Sequence, residues 1–334
     1  MKKVTIIAEA GVNHNGSIRL AKQLVDAASD AGADYVKFQT FKAEQIASAH
    51  ATKASYQQAN TGNDEGQLAM LKKLELNEQD HLELIDYCAD KNIRFLSTPF
   101  DLESIDLLKQ IGITLGKIPS GEITNLPYLR KMAAAFPELI MSTGMASMEE
   151  IGEALNVLLD GGADRSRIKI LHCNTEYPTP FSDVNLLAMP AIGKTFGVEY
   201  GYSDHTNGIE VPIAAVALGA VLIEKHFTLD RNMEGPDHKA SLEPDELKQM
   251  VASIRNIEIA LGSAEKKPSS SEARNKVVAR KSIVAAVKIA QGEVFSSNNL
   301  AVKRPGTGIS PMHWDQIIGQ RASRNFEPDE LIEL

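Results

Sequence analysis

Cysteine is nearly absent from this chain: two occur in 334 residues, Cys88 and Cys173. They share no paired spacing of the kind that suggests a cysteine zinc site or a disulfide framework. A reducing compartment, and hence a cytoplasmic protein, is expected. Net positive charge is missing as well. The formal charge of −9 leaves no basic footprint for nucleic acid, although a few lysines can still make one pocket locally positive. Long hydrophobic runs are also lacking. No stretch approaches the ~20 apolar residues that cross a bilayer, so no membrane span is expected. The apolar run in "MKKVTIIAEAGVNHNG" meets Glu9 too early for a secretory signal core. No GxGxxG follows the first strand pattern, which removes support for an open doubly wound sheet.

What is present is an alternation. "VTIIAEA" (4–10) reads as a short buried strand, and Ile18, Ala21, Leu24, Val25 and Ala28 then fall at helical spacing. A glycine stop precedes the next strand, "GADYVKFQ" (32–39). Further strands are expected at 93–97, 114–118, 138–142, 168–172, 198–202 and 220–224, with amphipathic stretches such as "MEEIGEALNVLLDGGA" (148–163) between most of them. Eight strands in about 225 residues approach the ~250 typical of a (β/α)₈ TIM barrel. The barrel is expected to occupy 1–265. A polar stretch with three consecutive serines (266–279) reads as a linker. Residues 280–334, with short β-type runs broken by Gly, Asn, Ser and Pro, read as a small β-rich domain of about 55 residues, near the lower limit for independent stability.

In such a barrel, chemistry gathers at the C-terminal ends of the strands. All eight expected ends are polar. The first carries Glu9, the second Lys37 and Gln39, the third Ser97 and Thr98, and the fourth Lys117 and Ser120. The fifth carries Ser142 and Thr143, the sixth His172 with "CNTEYPTP", the seventh "SDHT", and the eighth Glu224, Lys225 and His226. A lone histidine at a strand end is more often a hydrogen-bonded core residue than a ligand. Two at adjacent strand ends, His205 and His226, each beside an acid (Asp204, Glu224), can hold a divalent metal and leave positions open for water and substrate. Lys37 and Lys117, with Ser97, Thr98, Ser120, Ser142 and Ser203, form a cradle for phosphate or carboxylate oxygens. Glu122, Asp230 and Arg231 read as structural or rim charges. His14, His50, His81 and His313 stand outside any constellation, and His81, on a helical stretch, is expected to be exposed.

The motifs "IIAEAGVNHNG", "KFQ", "STPFD", "KIPSGE", "STGM", "YPTPF", "GYSDHT", "EKHFT", "GPDH" and "VKRPGTGIS" together resemble the sialic acid synthase family, from residue 4 to the end of the chain. The resemblance implies a barrel joined to a C-terminal antifreeze-like (SAF) domain, a homodimer with swapped C-terminal domains, and condensation of phosphoenolpyruvate with an N-acylated hexosamine. It implies that His205 and His226 bind the metal. Lys37, Gln39, Thr98, Lys117, Ser120, Ser142 and Ser203 would surround phosphoenolpyruvate, with either Asn174 or Thr175 meeting its phosphate. Glu9 and Asp237 would hold the sugar, Tyr177 its N-acyl group, and Arg304 would come from the partner subunit. Three stretches, "NDEGQLAMLKKLEL", "PSGEITNLPYL" and "EKHFTLDRNMEGPDHKASLEP", look most like the branch that makes N,N′-diacetyllegionaminate from 2,4-diacetamido-2,4,6-trideoxymannose. The neuraminate branch, using N-acetylmannosamine, is the alternative, and the pseudaminate branch comes third.

The residue set suits that chemistry. Carbon 3 of phosphoenolpyruvate is a weak nucleophile, so a metal on the histidine pair would polarise the acceptor aldehyde. Imidazole ligation suits manganese, with cobalt or magnesium as alternatives. Glu9 and Glu224 are the expected proton-handling groups, and the lysine and hydroxyl cradle would stabilise phosphate and carboxylate charge. A Schiff-base aldolase built on Lys117 is a rival that needs no metal. An ice- or sugar-binding protein led by the C-terminal domain is another, with little use for eight polar strand ends.

Overall fold

The computed structural model describes residues 3–48, 51–53, 55–61 and 66–334. Two compact units divide the chain, Met1–Gly262 and Ser263–Leu334. In the first, eight strands alternate with helices: β1 Thr5–Gly11, β2 Tyr35–Thr40, β3 Arg94–Pro99, β4 Leu115–Ile118, β5 Glu138–Ser142, β6 Ile168–Cys173, β7 Glu199–Asp204 and β8 Leu222–His226. Hydrogen-bonded ladders run in the order β3-β2-β1-β8-β7-β6-β5-β4, and every neighbouring pair is parallel. The two ends of that order, β3 and β4, lie side by side, so the sheet closes into the expected barrel. No helix among the described residues is long and apolar enough to cross a membrane.

Strand alternation decides what fills the barrel. Ile7, Leu96, Ile140, Leu171 and Leu222 pack together in an apolar cluster of their own. Because every second residue of a strand faces the same side, two steps further along the same strands stand Glu9, Thr98, Ser142, Cys173 and Glu224. The layer above an apolar plug is therefore polar. Strands β2, β4 and β7 add Lys37, Lys117 and Ser203 from the positions between. On β7 the residue two before Ser203 is Gly201, where a Cβ would stand 2.2 Å from the Leu222 carbonyl oxygen and 2.8 Å from Leu171 Cδ2. Only a glycine lets β7 approach β8 this closely. The outward residues of the same strands, such as Ile6, Ala8, Ala10, Val36 and Phe38, meet the helices in a larger core.

The surrounding helices start where their caps dictate. Ser17 opens helix Ile18–Ala31 and Gly32 ends it in the left-handed conformation. Ser147 and Glu150 form a capping box on helix Met148–Asp160. The β2-to-β3 connection is longer than a barrel needs. Before the outer helix Glu78–Asp90 it inserts short helices at Ala43–Ile46, Ser55–Thr61 and Gln67–Lys72. These add a separate small apolar cluster of Val12, Phe41, Met70 and Leu74.

The second unit has its own core of Ile283, Ile289, Phe295, Leu300, Phe326 and Ile332. It is built round an antiparallel pair, β9 Ser282–Ala285 and β10 Leu300–Lys303. The stretch expected to be an irregular linker is helical over Ser270–Ala279, started by a capping box between Ser269 and Glu272. That helix buries no residue, so its sequence carries no apolar periodicity. The cap alone could have announced it.

Candidate active site

The polar layer is a chain of alternating buried charges. The Lys37 ammonium lies 2.8 Å from Glu9 Oε2 and 3.4 Å from Glu224 Oε2, and the Lys117 ammonium lies 3.1 Å from Glu224 Oε1. Lys37 also donates to Thr98 Oγ1 at 2.8 Å, and Ser203 Oγ donates to Glu224 Oε1 at 2.9 Å. All six residues are buried. Charges taken out of water are expensive unless paired and hydrogen-bonded, so two cations must accompany two anions here. The two carboxylates differ in what they receive. Burial would raise Glu224, but the ammoniums of Lys117 and Lys37 outweigh it and hold the group well below the ordinary carboxylate range. Glu9 has one lysine in contact, and burial outweighs that attraction, so its pKa rises to about 7. Burial lowers the Lys117 pKa. At Lys37 burial acts the same way, but Glu224 and Glu9 overcome it and raise the value. One carboxylate is thus fixed as an anion, while the other exchanges a proton near neutrality.

Two residues beyond Ser203 and Glu224 come His205, just past the end of β7, and His226, the last residue of β8, with ring centroids 5.5 Å apart. Tyr177 stacks on His205 at 4.0 Å and meets His226 edge-on at 5.6 Å. His205 Nδ1 donates to the Asn174 carbonyl oxygen, which leaves Nε2 with a free lone pair in the neutral ring. Burial pushes His205 down to about 4, and burial together with the His205 ring pushes His226 well below the ordinary value, so both rings are neutral. His226 Nδ1 is buried and has no hydrogen-bond partner among the described residues. Gly11, in the left-handed conformation, gives the His226 ring its room: a Cβ there would stand 3.3 Å from His226 Cε1. Two neutral imidazoles, one with an orphaned nitrogen, are a donor set that suits a divalent cation. Among the described residues no group of three His, Cys, Asp or Glu is arranged to hold a metal. A cation held by the histidine pair would keep its other positions for water and substrate. Asp204, expected beside that pair, instead receives Lys225 at 2.5 Å and Thr206, fully buried.

Two cavities adjoin. The first, about 170 Å³, is lined by Glu9, Lys37, Thr98, Lys117, Ser120, Ser142, Thr175, Ser203, His205 and Glu224, with Gln39, Tyr177 and His226 on the side shared with the second. Ser142 Oγ is buried there without a hydrogen-bond partner among the described residues. Asp237 lies in the second cavity, where burial raises its pKa to about 6. Thr175 lines the first cavity, whereas the Asn174 side chain is turned into its own loop. There Asn174 Oδ1 accepts the Glu176 N–H at 2.7 Å and its amide reaches the Asp183 carbonyl at 3.4 Å. Arg304 belongs to the second unit, where its Nε donates to the Ala279 carbonyl at 3.1 Å.

Sequence reasoning misjudged His81. It is fully buried, with Nε2 at 2.7 Å from Thr40 Oγ1 and Nδ1 at 2.8 Å from the Asn77 carbonyl oxygen. Thr40 in turn meets Ser97 at 2.6 Å. The inward face of helix Glu78–Asp90 therefore carries a polar residue because β2 and β3 end in hydroxyls. His14 is buried too, accepting the Gly16 N–H at 3.0 Å, while His313 is exposed and His50 lies outside the described residues. Arg231 is structural, as expected, tied to Glu246 and to the Ser241 carbonyl at 2.8 Å. Phe100, Pro119, Met145 and Cys173 line the first cavity and were not foreseen. For Cys173 the signal was available, since it follows Leu171 by two on an inward-facing strand.

Known proteins place this chain. A model described as the NeuB family matches residues 24–266, and one described as the SAF domain matches residues 280–333. The chain is 57% identical over 332 residues to the N,N′-diacetyllegionaminic acid synthase of Campylobacter jejuni, covering 99% of both chains. It is 47% identical to the protein of the same name from Legionella pneumophila, over 96% of this chain and 91% of that one. A crystal structure of N-acetylneuraminic acid (sialic acid) synthetase from Leptospira borgpetersenii superposes with a TM-score of 0.72 at 35% identity, over 82% of this chain and 90% of that one. The chain belongs to the NeuB family, a barrel synthase with a C-terminal SAF domain.

The Glu9 environment sets a pH test. Its folded pKa of about 7 lies above the ordinary 4.5. The unfolded chain therefore loses this proton first, and stability falls as pH rises between those values. Glu9→Gln mimics the protonated form. In chelator, its stability relative to the unaltered protein should rise from pH 5 to pH 8 by about 2 kcal/mol, whatever the offset left by the lost Lys37 contact. Urea denaturation at the two pH values reads this, and an equal difference at both would contradict it.

Proposed function

We propose that this protein condenses phosphoenolpyruvate with 2,4-diacetamido-2,4,6-trideoxymannose and water to give N,N′-diacetyllegionaminate and phosphate. The observation that carries the reaction is the pairing of two buried lysines and a set of hydroxyls with two neutral histidines in one barrel mouth. The names of the two synthases above support the acceptor.

The residues divide the work. Lys37 and Lys117 hold the phosphate and carboxylate of phosphoenolpyruvate, with Thr98, Ser120, Ser142, Thr175 and Ser203 supplying hydrogen bonds. Glu224 stays ionised and orients both ammoniums and the Ser203 hydroxyl. Glu9, titrating near neutrality, gives a proton to the aldehyde oxygen as carbon 3 of phosphoenolpyruvate bonds to carbon 1 of the open-chain sugar. Water adds at carbon 2, and the proton it releases balances the one taken up by the sugar. Phosphate then leaves with its bridging oxygen. His205 and His226 are the residues to hold a divalent ion, manganese or in its place cobalt or magnesium, which when bound supplies Lewis-acid polarisation of a substrate oxygen.

Phosphate release with each acceptor, analysed together with the sugar product, tests the reading. The diacetamido sugar should give the higher kcat/KM. Preference for N-acetylmannosamine would move the protein to the neuraminate branch, and no phosphate release with either would overturn the reaction. His205→Ala and His226→Ala should each lower kcat by about two orders of magnitude or more and abolish calorimetric binding of Mn²⁺. Full binding in either variant would remove that histidine from the metal.

We also propose a homodimer in which each C-terminal unit serves the partner's barrel through Arg304. The support is an exposed arginine on a small unit of its own. Mixing inactive His226→Ala with inactive Arg304→Ala and allowing subunit exchange should restore about one quarter of the sites, because half the dimers are mixed and each carries one intact site. Confirmed exchange without recovery would exclude sharing.

A further inference from the structure

The second cavity, about 230 Å³, has a character the reaction chemistry does not call for. Its back wall is apolar. Phe41, Met70 and Leu74 belong to the small cluster that stands apart from the barrel plug and the helix layer, and Leu71 packs against it half-buried. The β2-to-β3 connection supplies these four residues, Met70 and Leu71 from the inserted helix Gln67–Lys72 and Phe41 and Leu74 from the stretches around the inserted helices, and Asn60 fastens the helix Ser55–Thr61 to the Pro236 carbonyl at 2.7 Å. Carboxamides of Gln57 and Gln67 lie along the same cavity, and each carries both a donor and an acceptor. Apolar surface that closes no barrel layer and faces an open cavity is surface available to a ligand.

The two cavities are continuous in their lining: Gln39, Phe100, Tyr177 and His226 border both. That continuity fixes an orientation. The aldehyde end of an acceptor has to face the lysine-lined cavity, so its far end falls into the apolar one. We propose that this cavity is the specificity subsite for the distal end of the acceptor, with the terminal methyl and second acetamido group set against Phe41, Met70, Leu71 and Leu74. The assignment rests on the acceptor reading made above and adds the residues that select it. A methyl group loses nothing by leaving water for such a wall. A hydroxymethyl group in its place would turn a hydroxyl out of water toward aromatic and aliphatic carbon, which costs free energy that a methyl group does not. The acetamido group suits the same cavity, since its methyl is apolar and its amide matches a glutamine carboxamide.

A difference of one methyl-sized group in such a pocket changes kcat/KM by about 10- to 200-fold. The test uses the full-length protein with saturating phosphoenolpyruvate, comparing 2,4-diacetamido-2,4,6-trideoxymannose with N-acetylmannosamine. Leu74→Gln and Leu71→Gln should each lower the ratio of the two kcat/KM values by about 10-fold or more, through loss of the deoxy acceptor, and leave the KM for phosphoenolpyruvate in place. Should Leu74→Gln fail to fold, Leu71→Gln at the half-buried position carries the test. Leu71→Phe, which fills the cavity, should penalise the diacetamido sugar more than N-acetylmannosamine. An unmoved ratio in Leu71→Gln and Leu71→Phe, or an equal fall for both sugars, overturns the subsite while leaving the reaction intact. Turnover of neither sugar by the unaltered protein overturns the subsite and the reaction together.

Discussion

The Glu9–Lys37–Glu224–Lys117 chain is the interaction on which the rest of this barrel depends. Each of these charges would cost several kcal/mol to bury alone. Their alternation makes the burial tolerable, and the strands enforce the alternation by delivering one residue each, at a fixed height, over a plug of Ile7, Leu96, Ile140, Leu171 and Leu222. Two cations balanced by two anions give a site that is neutral at rest. Because Glu9 titrates near neutrality, protonating it leaves a net positive charge. An incoming anion can therefore be matched by one proton on Glu9 rather than by a movement of the backbone.

The histidine pair lies at the boundary between two unlike cavities. On one side are ammoniums and hydroxyls, on the other a small apolar wall supplied largely by the β2-to-β3 connection. The proposed reaction joins a small polyanionic enol phosphate to a sugar with an apolar tail, and the two surfaces suit its two halves, with His226, Tyr177 and Gln39 bordering both cavities. The barrel supplies the first side from its strands and the short loops that follow them. The second requires the long β2-to-β3 connection, which is where acceptor choice can vary without disturbing the charge chain.

Much of this was legible in the sequence because strand alternation is regular. The eight strands lie within a few residues of where the apolar pattern puts them, and the polar strand ends alone group Lys37, Lys117, Glu224 and the two histidines. The end of β8 was placed at Glu224 and the end of β7 at Tyr202, since a pattern reader stops at the first charge. The structure continues both strands, to His226 and Asp204, because the barrel mouth buries Glu224 against Lys117 and Asp204 against Lys225. Polar residues that satisfy one another across elements were not legible. His81 reads as a surface residue until Thr40 and Ser97 are known to face it. Asn174 and Thr175 read as equal candidates for the phosphate until the Asn174 side chain is seen to serve its own loop. The helix at Ser270–Ala279 was hidden by the absence of any apolar stripe. The second cavity was hidden because its wall comes from Val12, Phe41, Met70 and Leu74, which no sequence spacing brings together.

If the buried charge chain receives one small polyanion, phosphoenolpyruvate should bind in the absence of any acceptor. Calorimetric titration of phosphoenolpyruvate into the unaltered protein, Lys37→Met and Lys117→Met isolates that step. One site per chain is expected, weakened about 100-fold or more in each variant, because one partner of a buried charge-assisted contact is removed. Equal affinity in all three proteins would contradict it.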